Sequence, residues 1–242
     1  MVGGVATNFF FGVLRASVLL ALYGARRDVE GFSAQAAVAY TGVTQAVIGC
    51  LGIFGWYDVM NAIHTGEIAV DLLKPIDYFT VWAARDLGRA AANIVVRFAP
   101  IMLAYSVLFQ SPLPGRAEQW LALAVVVPLA WFICFSWIFL VNLLAFWSPD
   151  AKGIGRFGFA VIWIFSGGYM PLRFFPPAFV HFCSLTPFPS MADTIVEAYL
   201  GVIHGPALLA AIGIQIVWSV ILVGAIRLVL GAGFRRLAIA GG

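Results

Sequence analysis

The most constraining feature of this sequence is a set of long stretches without a charged residue. Uncharged runs of 27, 31 and 29 residues separate Glu30 from Asp58, Glu118 from Asp150, and Glu197 from Arg227. A helix needs about 20 mostly apolar residues to cross the ~30 Å hydrocarbon core of a bilayer. Because lipid offers the backbone no hydrogen-bond partner, such runs cross it as helices. The three runs therefore predict three membrane-spanning helices.

The composition of the 242-residue chain indicates the same class. Apolar residues make up 62% of the chain and charged residues 10%, against roughly 45–50% and about 25% in a soluble domain. A chain with so few charges cannot cover a surface in water. This excludes a soluble enzyme, a nucleic-acid-binding module and a disordered tail, and it predicts an all-α integral membrane protein.

Weaker candidates bring the predicted number of transmembrane helices to six, within one transmembrane domain that covers 1–242. The uncharged stretch 98–115 has 18 residues and the stretch 157–172 has 16. The N-terminal stretch spans only if Arg15 is tolerated inside the bilayer. The predicted spans are 5–23, 34–55, 88–109, 120–146, 157–171 and 205–230.

The distribution of Lys and Arg predicts the orientation in the cell membrane, because cytoplasmic loops carry an excess of these residues. With both termini cytoplasmic, the inside holds Lys74, Arg85, Arg89, Lys152, Arg156, Arg227, Arg235 and Arg236. The outside then holds Arg26, Arg27, Arg116 and Arg173. Eight against four favours this topology, although the Arg26–Arg27 pair alone would favour the opposite one.

The segment 56–80, between the second and third predicted spans, is too polar to span and too patterned for an unstructured loop. Val59, Ile63, Val70 and Leu73 are spaced as one stripe of a helix. Gly66 interrupts the pattern, and Pro75 ends it because the residue before a proline avoids helical angles. We predict one or two short amphipathic helices along the cytoplasmic surface.

The charges of this segment point to the kind of partner. Its acidic residues outnumber its one lysine, Lys74; they are Asp58, Glu67, Asp71 and Asp77. Helices that lie on a membrane surface usually have Lys and Arg on their polar face. A protein partner is therefore favoured over anionic lipid, with a helix in the lipid headgroups as the alternative.

The segment 171–204, between the fifth and sixth predicted spans, is aromatic and apolar but broken by proline. One continuous helix is excluded because proline removes a backbone donor and clashes with the preceding turn. The prolines are Pro171, Pro176, Pro177, Pro187 and Pro189. Short re-entrant or interfacial helices are expected, which under the predicted topology form an extracellular cap. This cap is either a gate over an exit path or an inert edge.

Several polar residues lie inside predicted spans. Arg89, Asn93 and Arg97 are spaced by four on one helix face, with Asp86 placed to pair with Arg89. An arginine inside the membrane normally faces protein or water and finds a partner. These residues therefore either line a cavity or form a structural ion pair. Arg15 shares a face with Asn8, and Gln215 shares one with Ser219. The predicted spans hold no deep carboxylate, so a proton relay is not indicated.

Catalytic motifs are absent from the sequence. No G-x-x-x-x-G-K-[ST] loop is present to hold nucleotide phosphates. The three histidines, His64, His181 and His204, lack metal-ligand spacing. The three cysteines, Cys50, Cys134 and Cys183, indicate no disulfide framework. We therefore assign this chain no catalytic residue, metal or cofactor.

Five stretches together carry a resemblance to a known family: "IHTGEIAVDLLKP", "AFWSPDAKGIGRF", "FSGGYMPLRFFPPAF", "LTPFPSMADTIVEAYLG" and "RRLAIAGG". The first and third at this separation are the most specific pair. The sequence resembles the ABC type-2 permeases, the membrane subunits of ATP-driven exporters, over about 29–242. It is most similar to the branch in which permease and ATPase are separate polypeptides.

The resemblance implies roles for both unusual segments. A cytoplasmic coupling helix would dock on the ATPase through Ile63, His64, Gly66, Glu67, Asp71 and Lys74. The extracellular cap would include Pro171, Phe174, Phe175, Pro176 and Pro187. Two permease chains, identical or homologous, would pair with two ATPase subunits that carry ATP and Mg. The substrate path would follow the interface between permeases, and Arg15, Asn93 and Arg97 are its candidate intramembrane polar residues.

Two other classes of function remain open at this point. An ion-driven carrier or channel subunit would need a polar site near the midplane and often shows an internal repeat. A scaffold that transports nothing would need neither. The transported substrate and the choice between a homodimer and a heterodimer are likewise open.

Overall fold

The structure is a computed structural model, and it describes residues 2–24, 28–29, 32–53, 55–109, 113–148 and 151–236. Within these ranges the chain is helical apart from one short antiparallel ladder. The ladder pairs Asp28–Val29 (β1) with Phe32–Ser33 (β2). The chain is thus all-helical in architecture, as predicted.

The first half of the described chain contains six α-helices. They are α1 (Val2–Tyr23), α2 (Ala34–Leu51), α3 (Asp58–Thr65), α4 (Ile68–Leu72), α5 (Tyr78–Asn93) and α6 (Ala99–Phe109). A π-helical turn, Ile94–Phe98, joins α5 to α6 without a break. Such turns occur often at functional sites.

The second half contains five α-helices and three 3-10 turns. The helices are α7 (Ala117–Asn142), α8 (Ala151–Phe165), α9 (Pro177–Ser184), α10 (Asp193–Leu200) and α11 (Gly205–Phe234). The 3-10 turns are Leu143–Phe146, Leu172–Phe174 and Pro189–Met191.

Four helical runs are long and apolar enough to cross a membrane: Ala34–Leu51, Tyr78–Phe109, Ala117–Phe146 and Gly205–Phe234. A shorter apolar helix covers Phe9–Ala21. The run that contains the third predicted span begins at Tyr78 rather than at position 88, because Asp86 and Arg89 pair on the helix instead of ending it. Helix α8 has 15 residues, which is ~22 Å at 1.5 Å per residue.

Helix α2 lies at the centre of the fold. Every residue from Ala37 to Leu51 is buried, and α2 packs against α1, α6 and α10. A Cβ placed on Gly42 would lie 2.4 Å from the Tyr105 ring of α6. A small residue is therefore needed there, as is common where membrane helices approach closely.

The two unusual segments lie at opposite ends of this helical bundle. At one end, α3 contacts α4, the end of α7 and the 3-10 turn that follows α7, and Phe146 contacts Phe234 at the end of α11 with ring centroids 6.0 Å apart. At the other end, α10 meets the start of α7, where the Gln119 side chain donates to the Tyr199 carbonyl at 2.9 Å. We refer to these as the coupling end and the cap end.

Candidate functional site

The predicted coupling segment forms two short helices, α3 and α4, with Gly66 between them. Gly66 ends α3 with a left-handed φ of 79°, a conformation that glycine adopts without steric cost. Val59 and Ile63 are buried, whereas Val70 is 63% exposed and Leu73 85%. The expected single stripe of Val59, Ile63, Val70 and Leu73 is therefore wrong, because the chain changes direction at Gly66 and the helical period does not continue across it.

Asn142, at the end of α7, fastens α3 to the membrane-crossing part of the chain. Its side-chain amide donates to the carbonyl of Trp56 at 2.8 Å and to that of Ile138 at 2.8 Å. Its side-chain oxygen accepts a hydrogen bond from the Met60 backbone N–H at 3.1 Å. Asn142 is fully buried, so these bonds form where water does not compete. These bonds tie the start of α3 to the end of α7.

Two stacked indoles form a second connection, from the start of α3 to α5. The rings of Trp56 and Trp82 lie 5.7 Å apart and nearly parallel. The Arg85 guanidinium lies 5.0 Å from the Trp82 ring centre, and that of Arg89 lies 5.8 Å from the Trp56 ring centre. Cation–π contacts of this kind stabilise by about 0.5–2 kcal/mol.

Asp86 forms the ion pair expected from the sequence and links it to a second helix. The buried Asp86 carboxylate pairs with Arg89 and accepts a hydrogen bond from Trp131 Nε1 at 2.8 Å. Trp131 lies on α7, so α5 and α7 are joined across the bundle close to the coupling segment. Of the two interpretations of Arg89, this geometry agrees with the structural ion pair.

The other residues assigned to coupling differ in exposure. Ile63 faces the core of the chain itself, and His64 Nε2 lies 3.2 Å from the Ser148 carbonyl oxygen. Lys74 Nζ lies 2.5 Å from the Asp71 carboxylate. Glu67 is exposed and has no ion pair among the described residues. Its charge is available for a partner.

Asp77, next to α4, connects the coupling end to α11. Its carboxylate accepts from the Thr80 backbone N–H at 2.9 Å, which caps α5, and from Arg227 Nη2 at 3.1 Å. The hydrogen bond from Arg227, with a smaller contribution from Thr80, outweighs desolvation and lowers the pKa of Asp77 to about 2. Asp77 is therefore already paired within the chain.

Arg15 of α1 lies against the end of α8. Its guanidinium donates to the Gly168 carbonyl at 2.8 Å and lies 4.8 Å from the ring centre of Trp163 and 5.2 Å from that of Tyr169. A carbonyl and two aromatic faces replace part of the lost hydration, which is how an arginine is accommodated in an apolar region. This partner could not be predicted from the sequence, because Arg15 and Gly168 are 153 residues apart.

Asn93 and Arg97 lie on the third candidate span, on either side of the start of the π-helical turn. Both are partly buried. Arg97 has no ion pair among the described residues. Arg15 contacts α8, whereas these two residues lie on the α5–α6 run, so the three candidate path residues are divided between different helices.

The cap end contains two short helices, α9 and α10, and the prolines mark their boundaries. Pro171 precedes the 3-10 turn Leu172–Phe174, and Pro176 precedes α9. The buried Pro187 precedes the 3-10 turn before α10. Phe174 packs on the cluster of α1 and α2, and the Phe175 ring contacts Phe179 at 4.8 Å. The cap is attached to the bundle through aromatic packing.

A buried polar cluster lies beneath this cap. The Tyr40 hydroxyl of α2 lies 2.9 Å from the Gly167 carbonyl oxygen and 2.8 Å from Asp193 Oδ1 of α10. On the same helix, Glu197 pairs with Arg173 at 2.6 Å. Burial and the nearby Glu197 raise the pKa of Asp193 to about 7, although Tyr40 and Arg173 act in the opposite direction. This cluster joins α2, the turn after α8 and α10.

Sequence reasoning missed Asn142, Tyr40 and Asp193. A single Asn inside the apolar run of 120–146 was a usable signal, because an amide buried among apolar residues needs hydrogen-bond partners. Asp193 gave no comparable signal, since its partner Tyr40 is 153 residues away. Among the described residues, no group of three or more His, Cys, Asp or Glu could hold a metal ion.

The fold, the four long apolar candidate spans and the buried polar links between them define a helical membrane protein that crosses the bilayer several times. A family model described as ABC-2 family transporter protein matches residues 10–241, nearly the whole chain. The chain belongs to this family, whose members are membrane transport subunits and not ATPases. Among curated proteins and among solved structures, the comparisons find no match.

Proposed function

We propose that this chain is the membrane-spanning subunit of an ATP-binding-cassette exporter, driven by separate ATPase subunits through α3 and α4. A second permease chain, identical or homologous, would complete the substrate path. The observation that carries the proposal is the attachment of α3 by Asn142. A surface helix that is fixed to a membrane helix can transmit the movement of a partner, whereas a loosely tethered helix cannot.

The charge on the exposed side of this segment supports an ATPase partner with a basic docking surface. Glu67 is exposed and unpaired among the described residues, and Asp71 lies one turn further along beside Lys74. For ATP to shift the permease between two states, the ATPase must contact this surface differently in each state. A contact that is equal in both states would shift nothing.

The proposed topology has six spans with both termini cytoplasmic. Helices α1 and α8 supply the first and fifth crossings, in addition to the four long runs. Helix α8 is short for a ~30 Å core, and the turn 166–170 and α9 would complete that crossing near the outer surface. The coupling end then faces the cytoplasm and the cap end faces outward.

The decisive experiment reverses the charge of the docking surface. The double variant Glu67→Lys with Asp71→Lys is expected to fold and to assemble less well with the ATPase, because basic residues would then face basic residues. In the reconstituted complex, ATP hydrolysis continues while transport is lost. Unchanged transport by the double variant contradicts the coupling assignment.

The matched control is Glu118→Lys, which reverses an exposed acidic residue at the cap end. It is expected to leave ATPase association and coupling unchanged, because the cap end lies far from the ATPase in the proposed topology.

Purification supplies a simpler test. A nucleotide-binding subunit that copurifies supports the exporter, whereas a chain that transports alone without nucleotide supports a carrier.

A further inference from the structure

A long apolar groove runs along the outside of α2, the α5–α6 run and α7. It has a volume of about 560 Å³ and extends from Leu51 and Ile94 near the coupling end to Leu113 and Trp120 near the cap end. Water is unsuited to such a groove because it would find almost no polar partner there. In a bilayer, hydrocarbon chains of lipid are the natural occupant.

A small polar cavity adjoins the coupling end of this groove. Its volume is about 90 Å³, and its walls are Trp56, Asp58, Trp82, Arg85, Asp86 and Arg89. Residues that line the cavity lie close to residues that line the groove. A Cβ on Gly52 would lie 3.3 Å from Arg89 Nη2, and the adjoining Leu51 lines the groove. At this volume the cavity suits a compact headgroup and not an acyl chain.

The charges in the cavity are only partly used within the chain. Asp86 and Arg89 pair with each other, and Asp86 also binds Trp131. Arg85 and Asp58 are exposed and have no ion pair among the described residues.

This set of groups is complementary to a zwitterion. Arg85 is a donor suited to a phosphate, and a hydrogen bond to a charged acceptor is roughly twice as strong as a neutral one. Asp58 is an acceptor suited to a primary ammonium group. A choline headgroup has no N–H to donate to Asp58, and a glycerol headgroup has no positive charge to balance it.

We propose that the cavity and the groove together bind one phosphatidylethanolamine molecule. Its phosphate binds Arg85, its ammonium group binds Asp58, and an acyl chain fills the groove. Asp58 is the first residue of α3 and Arg85 lies on α5. The lipid thus bridges the coupling segment and the third span. This inference does not depend on which partner drives transport.

The test is native mass spectrometry of the purified full chain, titrated with phosphatidylethanolamine, phosphatidylcholine or phosphatidylglycerol with identical acyl chains. The ethanolamine lipid is expected to bind most tightly. Arg85→Gln weakens its binding by about tenfold, a factor that corresponds to ~1.4 kcal/mol. Asp58→Asn removes the preference for ethanolamine over choline. Arg156→Gln, a change at an exposed arginine of α8, leaves all three affinities unchanged.

The groove is tested separately. Ala124 lines it, so Ala124→Phe is expected to weaken binding of the ethanolamine lipid, whereas Ala160→Phe at an exposed position of α8 is not. Equal affinity of the unaltered chain for all three lipids would overturn the proposal. The same holds if Arg85→Gln and Arg156→Gln have equal effects, or if the glycerol lipid binds best and Asp58→Asn changes nothing.

Discussion

The side-chain amide of Asn142 donates a hydrogen bond of 2.8 Å to the main-chain carbonyl of Trp56, 86 residues earlier in the chain. The same side chain accepts from the Met60 N–H at 3.1 Å. One residue therefore satisfies two main-chain groups at the entrance to α3. The Asn142 side chain thereby links the end of α7 to the start of the coupling segment.

Replacement of Asn142 by leucine is expected to destabilise the protein. The variant has a similar side-chain size but leaves the Trp56 carbonyl and the Met60 N–H unpaired, at ~1–3 kcal/mol for each buried group. For a chain of this size, each kcal/mol lowers the melting temperature by about 2–4 °C. Melting can be followed with a thiol-reactive dye, since Cys50 and Cys134 are buried. Asn93→Leu, at a partly buried position without such bonds, is the control.

The same variant also tests the mechanism. If α3 is driven as a unit with α7, Asn142→Leu reduces transport per ATP hydrolysed in the reconstituted complex below the melting temperature. Full coupling in a folded Asn142→Leu complex would show that the attachment is structural only.

Two buried tyrosines are expected to respond in opposite ways to the loss of a hydroxyl group. Tyr40→Phe removes the bonds to Gly167 and Asp193 and should cost ~1–3 kcal/mol, because those acceptors are left unpaired. The Tyr105 hydroxyl is buried and has no hydrogen-bond partner among the described residues. Tyr105→Phe should therefore be neutral or stabilising. Similar melting temperatures for the two variants would contradict this assignment.

The lowered pKa of Asp77 predicts that Asp77→Asn and the unaltered chain differ in stability at neutral pH but not in acid. Its pKa of about 2 in the folded chain lies below the ~3.9 of an unfolded chain. The stabilisation is therefore present above about pH 4 and is lost as the pH falls toward 2. Asp77→Asn should lower the melting temperature at neutral pH and make no difference near pH 2. Because the pair is exposed, the effect is at most about 1 kcal/mol.

The melting curves for this comparison are recorded by tryptophan fluorescence. Lys74→Gln, which breaks the separate pair with Asp71, controls for a general loss of surface charge at this end. A gap between Asp77→Asn and the unaltered chain that persists at low pH would exclude the assigned role.

The raised pKa of Asp193 predicts the opposite dependence of stability on pH. Its pKa is raised to about 7 by burial and by Glu197, so its contribution to stability is complete below about pH 4 and is lost as the pH rises through 7. The unaltered chain should melt at a lower temperature at about pH 8 than at about pH 6. Asp193→Asn should abolish that slope, and Glu118→Gln, at an exposed acid of the cap end, should retain it. Identical slopes in all three proteins would exclude Asp193 as the titrating group.

The local features of this chain could be predicted from its sequence. The long stretches without a charged residue identified a helical membrane protein, since backbone groups in lipid must bond within their own segment. The break at Gly66 and the Asp86–Arg89 pair were also accessible, because each depends on residues within one or two helical turns. The exposure of Val70 and Leu73 was not, because it depends on the direction that the chain takes after Gly66.

The sequence by itself determined that the chain is helical, that it belongs in a membrane and where its polar interruptions lie. Only the tertiary structure decided which polar groups meet: Asn142 with Trp56, Tyr40 with Asp193, and Arg15 with Gly168. The physical reason is that helix formation in lipid is a local requirement of the backbone. Partners separated by 86 to 153 residues are instead brought together by the packing of whole helices.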